Sequence, residues 1–330
     1  MSELRWNPLL GEWLATATHR QSRTVDPPPE YCPLCPTLPG AHPTEVPTPS
    51  YDIVVFENRF PALSLHPPEP AVQPTSTSPV RPVFGACEVL LYTDRHDATL
   101  SEQPLEKFER IIRVWSDRYT ELSAKQGVEY VFIFENHGDV VGATLTHPHG
   151  QIYAYPFIPP QIERETAALR RHRERTGRCL LCDLVAEELR DGRRLVGRSG
   201  DVVAFIPFAA RWPYEVHVVP LQHVAALPIL SQRGRRDLAK ALKSLLVSYE
   251  TLSEREFRDF PYIMAVHQRG VNQTDDDAHL HVEFYPFMRK EGQFKYLAGS
   301  ELGAGLFVND TLPEEKAPEL RSHWPAVMLQ

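Results

Sequence analysis

The chain has 330 residues, 42% hydrophobic and 24% charged, enough for two domains of ordinary size with cores of their own. Its formal net charge of −8 argues against a nucleic-acid binder held by phosphate contacts, and no stretch approaches the roughly 20 apolar residues of a membrane span. The opening "MSELRWNPLLGEW" has no basic region followed by an apolar run, so no signal peptide is expected and the cytoplasm is the expected compartment.

The 31 prolines cluster in 26–49 and 61–82, which predicts irregular loops. The first of these holds "CPLC" at 32–35. Short β-rich runs follow at "YDIVVF", "EVLLYT" and "EYVFIFEN". A helix is predicted over 101–126, opened by Ser101 with Glu102 in its first turn. At 144–156, "TLTHPHGQIYAYP" sets His147, His149 and Gln151 at alternate positions, on one face of a strand, with Ile152 and Ala154 on the other. An isolated His-x-His of this kind is often no more than two histidines on a wet strand face. Beyond it come a helix over about 161–175 and "CLLC" at 179–182. Runs at "DVVAFIPF" and "YEVHVVP", a helix over 232–254, and runs at "PYIMAVHQ" and "HLHVEFYP" complete the series.

The order of elements is the same in both halves. His96 matches His223 at an offset of 127, and His147, His149 and Gln151 match His279, His281 and Glu283 at an offset of 132. We read an internal duplication of one unit, with domains at 1–160 and 161–330. Each half offers two thiolates and two imidazoles: Cys32, Cys35, His96 and His147, then Cys179, Cys182, His223 and His279. In one half alone the cysteines could equally be buried or redox-active and the histidines unrelated. Their repetition favours two tetrahedral Zn²⁺ sites, structural because no ligand position stays vacant. With His147 committed to metal, His149 keeps a free imidazole on the same strand face, able to act as nucleophile or base. Cys87 stands apart from both pairs.

These motifs, together with "ENRFPAL", "FENHGDVVGATLTHPHGQ", "HVVPLQHV" and "KYLAGSELG", run the length of the chain. The chain resembles the galactose-1-phosphate uridylyltransferase family, a branch of the histidine-triad superfamily. The resemblance implies an α+β fold of two tandem histidine-triad-like units, with antiparallel half-barrel sheets flanked by helices and joined across a homodimer. It also implies UMP transfer from UDP-glucose to galactose 1-phosphate through a covalent uridylyl-His149. Only the Nε2 lone pair of a neutral ring can attack, so Nδ1 should donate to a backbone carbonyl, and Gln151 should donate to a phosphate oxygen.

By the same resemblance Asn58 and Phe60 belong to the uridine segment, where Arg59 stands at an often acidic position. Asn136, Gly142 and Thr144 line the phosphates, Arg20 and Arg23 are cations for a diphosphate, and Lys295, Ser300 and Glu301 contact phosphate and hexose. An aromatic residue is common where Ser300 stands. Some members carry an iron site; Glu165, His267 and His281 match it, but its last position is Glu283. The cysteines Cys179 and Cys182 with His279 favour a second zinc over iron. Two other readings are an ADP-sugar phosphorylase, or broader hexose-1-phosphate nucleotidyltransferase, and a non-catalytic zinc protein that binds nucleotides.

Overall fold

The computed structural model describes residues 2–22, 27, 31–252, 260–290 and 293–325. In chain order come β1 (Ser2–Asn7), β2 (Glu12–Ala17), β3 (Val54–Glu57), β4 (Val80–Pro82), β5 (Ala86–Leu91), α1 (Leu105–Ser123), β6 (Tyr130–His137) and β7 (His149–Tyr155). After the midpoint follow α2 (Pro160–Thr176), α3 (Leu180–Asp191), β8 (Leu195–Ser199), β9 (Val202–Phe205), β10 (Val216–Pro220), α4 (Gln232–Leu252), β11 (Tyr262–His267) and β12 (His281–Pro286). A small hairpin, β13 (Met288–Lys290) with β14 (Gln293–Phe294), and α5 (Pro313–Ser322) complete the chain. No helix among the described residues is long and apolar enough to cross a membrane.

Nine strands form one open antiparallel sheet in the order β3-β5-β7-β6-β11-β12-β10-β9-β8. The first half contributes β3-β5-β7-β6, and the second repeats that pattern as β9-β10-β12-β11, with β8 added at the edge. The halves meet inside the chain, where β6 pairs with β11 from Tyr262↔His137 to Val266↔Ile133. The resemblance implies half sheets joined across a dimer; the two half sheets instead join within one chain.

Period sets the two faces. Helix α1 turns Leu105, Phe108, Ile111, Ile112, Trp115, Tyr119 and Leu122 inward at helical spacing. It packs on β6 and β7, while α4 packs on β8, β9 and β10 and against α1. Ile152 and Ala154 join this helix-covered core, so His149, Gln151 and Tyr153 face the other way.

Three sequence expectations need correction or addition. Helix α1 starts at Leu105, after an extended Pro104, rather than at a Ser101 cap. Proline disfavours helical geometry in the residue before it, and Ser101 instead bonds Thr99 at 2.8 Å while Glu102 accepts from the Thr99 N–H. Helix α3 was hidden because its first turn is the second cysteine pair, and α5 was not foreseen.

Inside β6, Glu135 is 2% exposed and accepts from the Tyr262 hydroxyl at 2.9 Å. Burial pushes its carboxyl up to about 7, against the pull of the Tyr262 and Tyr92 hydroxyls. The folded value lies above the unfolded one, so this contribution is intact below about 4.5 and is lost as pH rises through about 7. Glu135→Gln should therefore gain on the wild type by up to about 3 kcal/mol between about pH 4.5 and pH 8 in denaturant unfolding. A pH-independent difference would show that the carboxyl ionises normally. Nearby, a Cβ on Gly150 would overlap the buried Tyr92 hydroxyl. Gly150→Ala should cost about 1–3 kcal/mol, and adding Tyr92→Phe should recover most of it. Failure of that rescue would place the clash elsewhere.

Candidate active site and metal centres

The first centre gathers Cys32 and Cys35 from the proline-rich loop, His96 from the segment after β5, and His147 from the approach to β7. Their ligand atoms lie within 4.8 Å of one another. The Cys35 Sγ is 3.4 Å from His96 Nδ1 and 3.5 Å from His147 Nδ1. His147 is fully buried, and its Nε2 lies 2.8 Å from both the Thr93 carbonyl and the Tyr51 hydroxyl. A carbonyl can only accept, so Nε2 carries the proton and the Nδ1 lone pair faces the thiols. Burial above all depresses His147 to about 4, which keeps it neutral. Burial, followed by the Cys32 neighbour, pushes the Cys35 thiol up to about 12, so two thiolates need a cation to share them.

The second centre repeats this design with Cys179, Cys182, His223 and His279, again within 4.8 Å. Cys182 Sγ lies 3.7 Å from His223 Nδ1 and 3.4 Å from His279 Nδ1. The Nε2 atoms donate to the carbonyls of Asp275 at 3.1 Å and Pro220 at 3.0 Å. Pro220 is the repeat counterpart of Thr93, so the supporting bond is duplicated along with the ligands. All five cysteines are free. Both donor sets, two thiols and two imidazoles whose ligand atoms converge, fit a soft tetrahedral cation.

A third group, Glu165, His267 and His281, also converges within 4.8 Å. Glu165 accepts from His267 Nδ1 at 2.8 Å. Glu283 lies 3.3 Å from His281 Nε2, 3.2 Å from His217 Nε2 and 3.7 Å from His267 Nε2, and Tyr285 donates to it. Burial alone would lower His267, but Glu283 and Glu165 outweigh it and push the ring up to about 9. The acids and bases here neutralise one another.

His149 stands between two cavities. One, of about 210 Å³, is lined by Arg20, Asn58, Phe60, Asn136, Gly142, Thr144, His149 and Gln151, eight residues that the sequence singled out. The other, of about 1190 Å³, adjoins His147, Pro148 and His149 and extends past Asn136 and Glu250. His149 Nδ1 donates to the His147 carbonyl at 2.8 Å, which leaves the Nε2 lone pair unprotonated. Burial lowers the pKa of the ring, so the neutral form dominates near pH 7.

A relay orients Gln151. Arg20 donates to the Tyr153 hydroxyl at 3.2 Å, and that hydroxyl donates to Gln151 Oε1 at 3.2 Å, leaving Nε2 as a donor. Tyr153 was missed, although it continues the alternation of His149 and Gln151 on β7. Thr93 and Pro220 act through backbone carbonyls, for which no side-chain signal exists.

Other expected residues lie apart. Lys295, Ser300 and Glu301 line neither cavity beside His149. Lys295 donates to the carbonyls of Arg211, at 2.8 Å, and Val308. Ser300 donates to the Leu306 carbonyl at 2.8 Å, and Glu301 accepts from the Ala298 and Val308 amides. Arg23 lies outside the described residues.

Comparison with known proteins agrees with this geometry. Residues 1–159 match the N-terminal domain of the galactose-1-phosphate uridyl transferase family, and residues 165–328 match its C-terminal domain. A galactose-1-phosphate uridylyltransferase from Thermotoga maritima is 39% identical over 97% of this chain and 98% of its own. One from Rattus norvegicus is 33% identical over 96% of this chain and 86% of its own. A solved uridylyltransferase structure superposes with a TM-score of 0.85 at 34% identity, covering 98% of each chain. An ADP-glucose phosphorylase from Arabidopsis thaliana with bound ADP-glucose gives 0.72 at 25% identity, covering 100% of each. Two repeated units of an α+β fold, joined in one sheet, are therefore the architecture, and the chain belongs to the galactose-1-phosphate uridyl transferase family.

Proposed function

We propose that this chain is a UDP-glucose–hexose-1-phosphate uridylyltransferase, acting on galactose 1-phosphate by double displacement through His149. The observation that carries the reading is the His149 ring, with Nδ1 donating to the His147 carbonyl and with Nε2 and Gln151 at one recess. Nε2 attacks the α-phosphorus of UDP-glucose, and the P–O bond to glucose 1-phosphate breaks. The leaving phosphate takes the bonding electrons, so no proton donor is required. A phosphate oxygen of galactose 1-phosphate then attacks the same phosphorus, the P–N bond breaks, and UDP-galactose leaves with His149 neutral again. Gln151 Nε2 donates to a non-bridging oxygen as charge shifts onto it. Asn136, Gly142 and Thr144 hold the phosphates with Arg20 and Arg23, while Asn58 and Phe60 receive the uridine.

Lys295, Ser300 and Glu301 serve the hexose from the second copy in a homodimer; their separation from His149 within one chain supports this. Units 1–160 and 161–330 each bind one structural zinc through their Cys₂His₂ sets. The metal clamps loops to the sheet and takes no part in transfer. The complete Cys179, Cys182, His223 and His279 set supports a second zinc in preference to iron. Free thiols suit the reducing cytoplasm.

His149→Gly should abolish labelling of the protein by UDP-glucose radiolabelled in its uridylyl group, yet accept added uridylyl-imidazole, while ADP-glucose should label the wild type weakly. Exchange of label between UDP-glucose and glucose 1-phosphate in folded His149→Gly protein would show that another residue attacks. Gln151→Ala should lower kcat by roughly 10²–10³; a rise in KM alone would contradict the assigned role.

Elemental analysis should find about two zincs per chain with little iron. Cys179→Ser should lower Tm more than it lowers kcat, because a closed tetrahedral site contributes folding energy. One zinc with one iron would remove the second zinc site.

A further inference from the structure

The 210 Å³ recess also receives a carboxylate that the reaction above does not use. Glu45 lies in the loop that returns from the first cysteine pair. Its amide donates to the Pro33 carbonyl at 2.9 Å, its neighbour Thr44 donates to the Cys35 carbonyl at 2.6 Å, and Val46 bridges Pro36. This doubled-back loop carries the side chain to the rim of the recess, where Oε1 meets Arg59 Nη1 at 3.3 Å. The Glu45 side chain is only 28% exposed, against 70% for Arg59, whose guanidinium lies over Phe60 at 5.8 Å. Glu45 Oε2 makes no hydrogen bond among the described residues.

The recess runs across the sheet from β7, which carries His149 and Gln151, to β3, two strands away, which carries Phe56; Leu34 and Phe60 also line it. A nucleotide with its phosphorus at His149 and its base against Phe56 spans the recess, with its pentose between them. A ribose presents two adjacent hydroxyl donors, and a carboxylate is the complementary pair of acceptors. A 2′-deoxyribose presents one, and leaves part of that carboxylate unpaired.

We propose that Glu45, steadied by Arg59, is the residue that recognises the ribose diol and selects ribonucleotides over 2′-deoxyribonucleotides. The inference rests on the nucleotide reading of the recess given above. It assigns the recognition to the metal-binding loop rather than to the segment that carries Asn58 and Phe60.

Binding of UMP and dUMP, measured by calorimetry, tests this without any transfer step. Wild-type protein should prefer UMP by roughly 10- to 100-fold. Glu45→Gln, checked for unchanged Tm and metal content, should bring that ratio close to one. Arg59→Ala, outside the metal-binding loop, should lower it in part. A ratio unchanged in both variants, or equal loss of both ligands in Glu45→Gln, overturns the assignment. Labelling of His149 by UDP-glucose is scored separately. If labelling fails, the transfer reading falls; if labelling succeeds and the wild type binds UMP and dUMP alike, only the ribose assignment falls.

Discussion

A ring N–H donating to a backbone carbonyl is the interaction on which the site depends. It occurs at His147, His149, His223, His279 and His281. In His147, His223 and His279 the donor is Nε2, which turns the Nδ1 lone pair toward the cysteines. In His149 the donor is Nδ1, which turns the other lone pair away. Two histidines separated by one proline thus hold opposite tautomers. The acceptor for the second is the carbonyl of the first, so whatever fixes His147 also fixes His149. A metal centre that does no chemistry can in this way hold the proposed nucleophile still, and catalysis depends on such placement.

The second half shows what the same scaffold becomes when one residue changes. His281 repeats the carbonyl bond of His149, at 2.8 Å. Glu283 replaces Gln151, however, and places a charge where the first half has a neutral amide. That charge draws in His217, His267, Arg211 and the Tyr285 hydroxyl. His281 Nε2 consequently faces a carboxylate rather than an open recess. Glutamine leaves a lone pair and a donor available to a phosphate; glutamate consumes them internally and would repel the anion.

Much of this was legible in the sequence because the chain states it twice. The two Cys₂His₂ sets, the shared face of His149 and Gln151, and the matching order of elements in the two halves follow from spacing and alternation, which local geometry enforces. Six residues taken from the family resemblance, from Arg20 to Thr144, line one recess with His149 and Gln151. Other features left no pattern to read. The carbonyls of Thr93 and Pro220 act independently of side-chain identity. The start of α1 was decided by Pro104, which overrode a plausible Ser101 cap. Glu45 reaches the recess only because a proline-rich loop folds back on itself, and such a path has no period. Ser300 and Glu301 bond within their own segment and Lys295 bonds the carbonyls of Arg211 and Val308, which composition could not reveal.

The junction of β6 with β11 also bears on how the molecule is assembled. Each half pairs its own strands over shorter sequence separations, whereas Ile133 meets Val266 across a full repeat length. Closing so long a loop costs entropy that is recovered only once both partners present ordered edges. The halves therefore have reason to form first as separate units, each with one exposed edge strand, and to merge late. During synthesis the first half emerges with β6 paired to β7 on one side and its other edge open to other chains. In the finished sheet that strand lies in the interior, next to the central β11; in the nascent chain it is the most vulnerable edge.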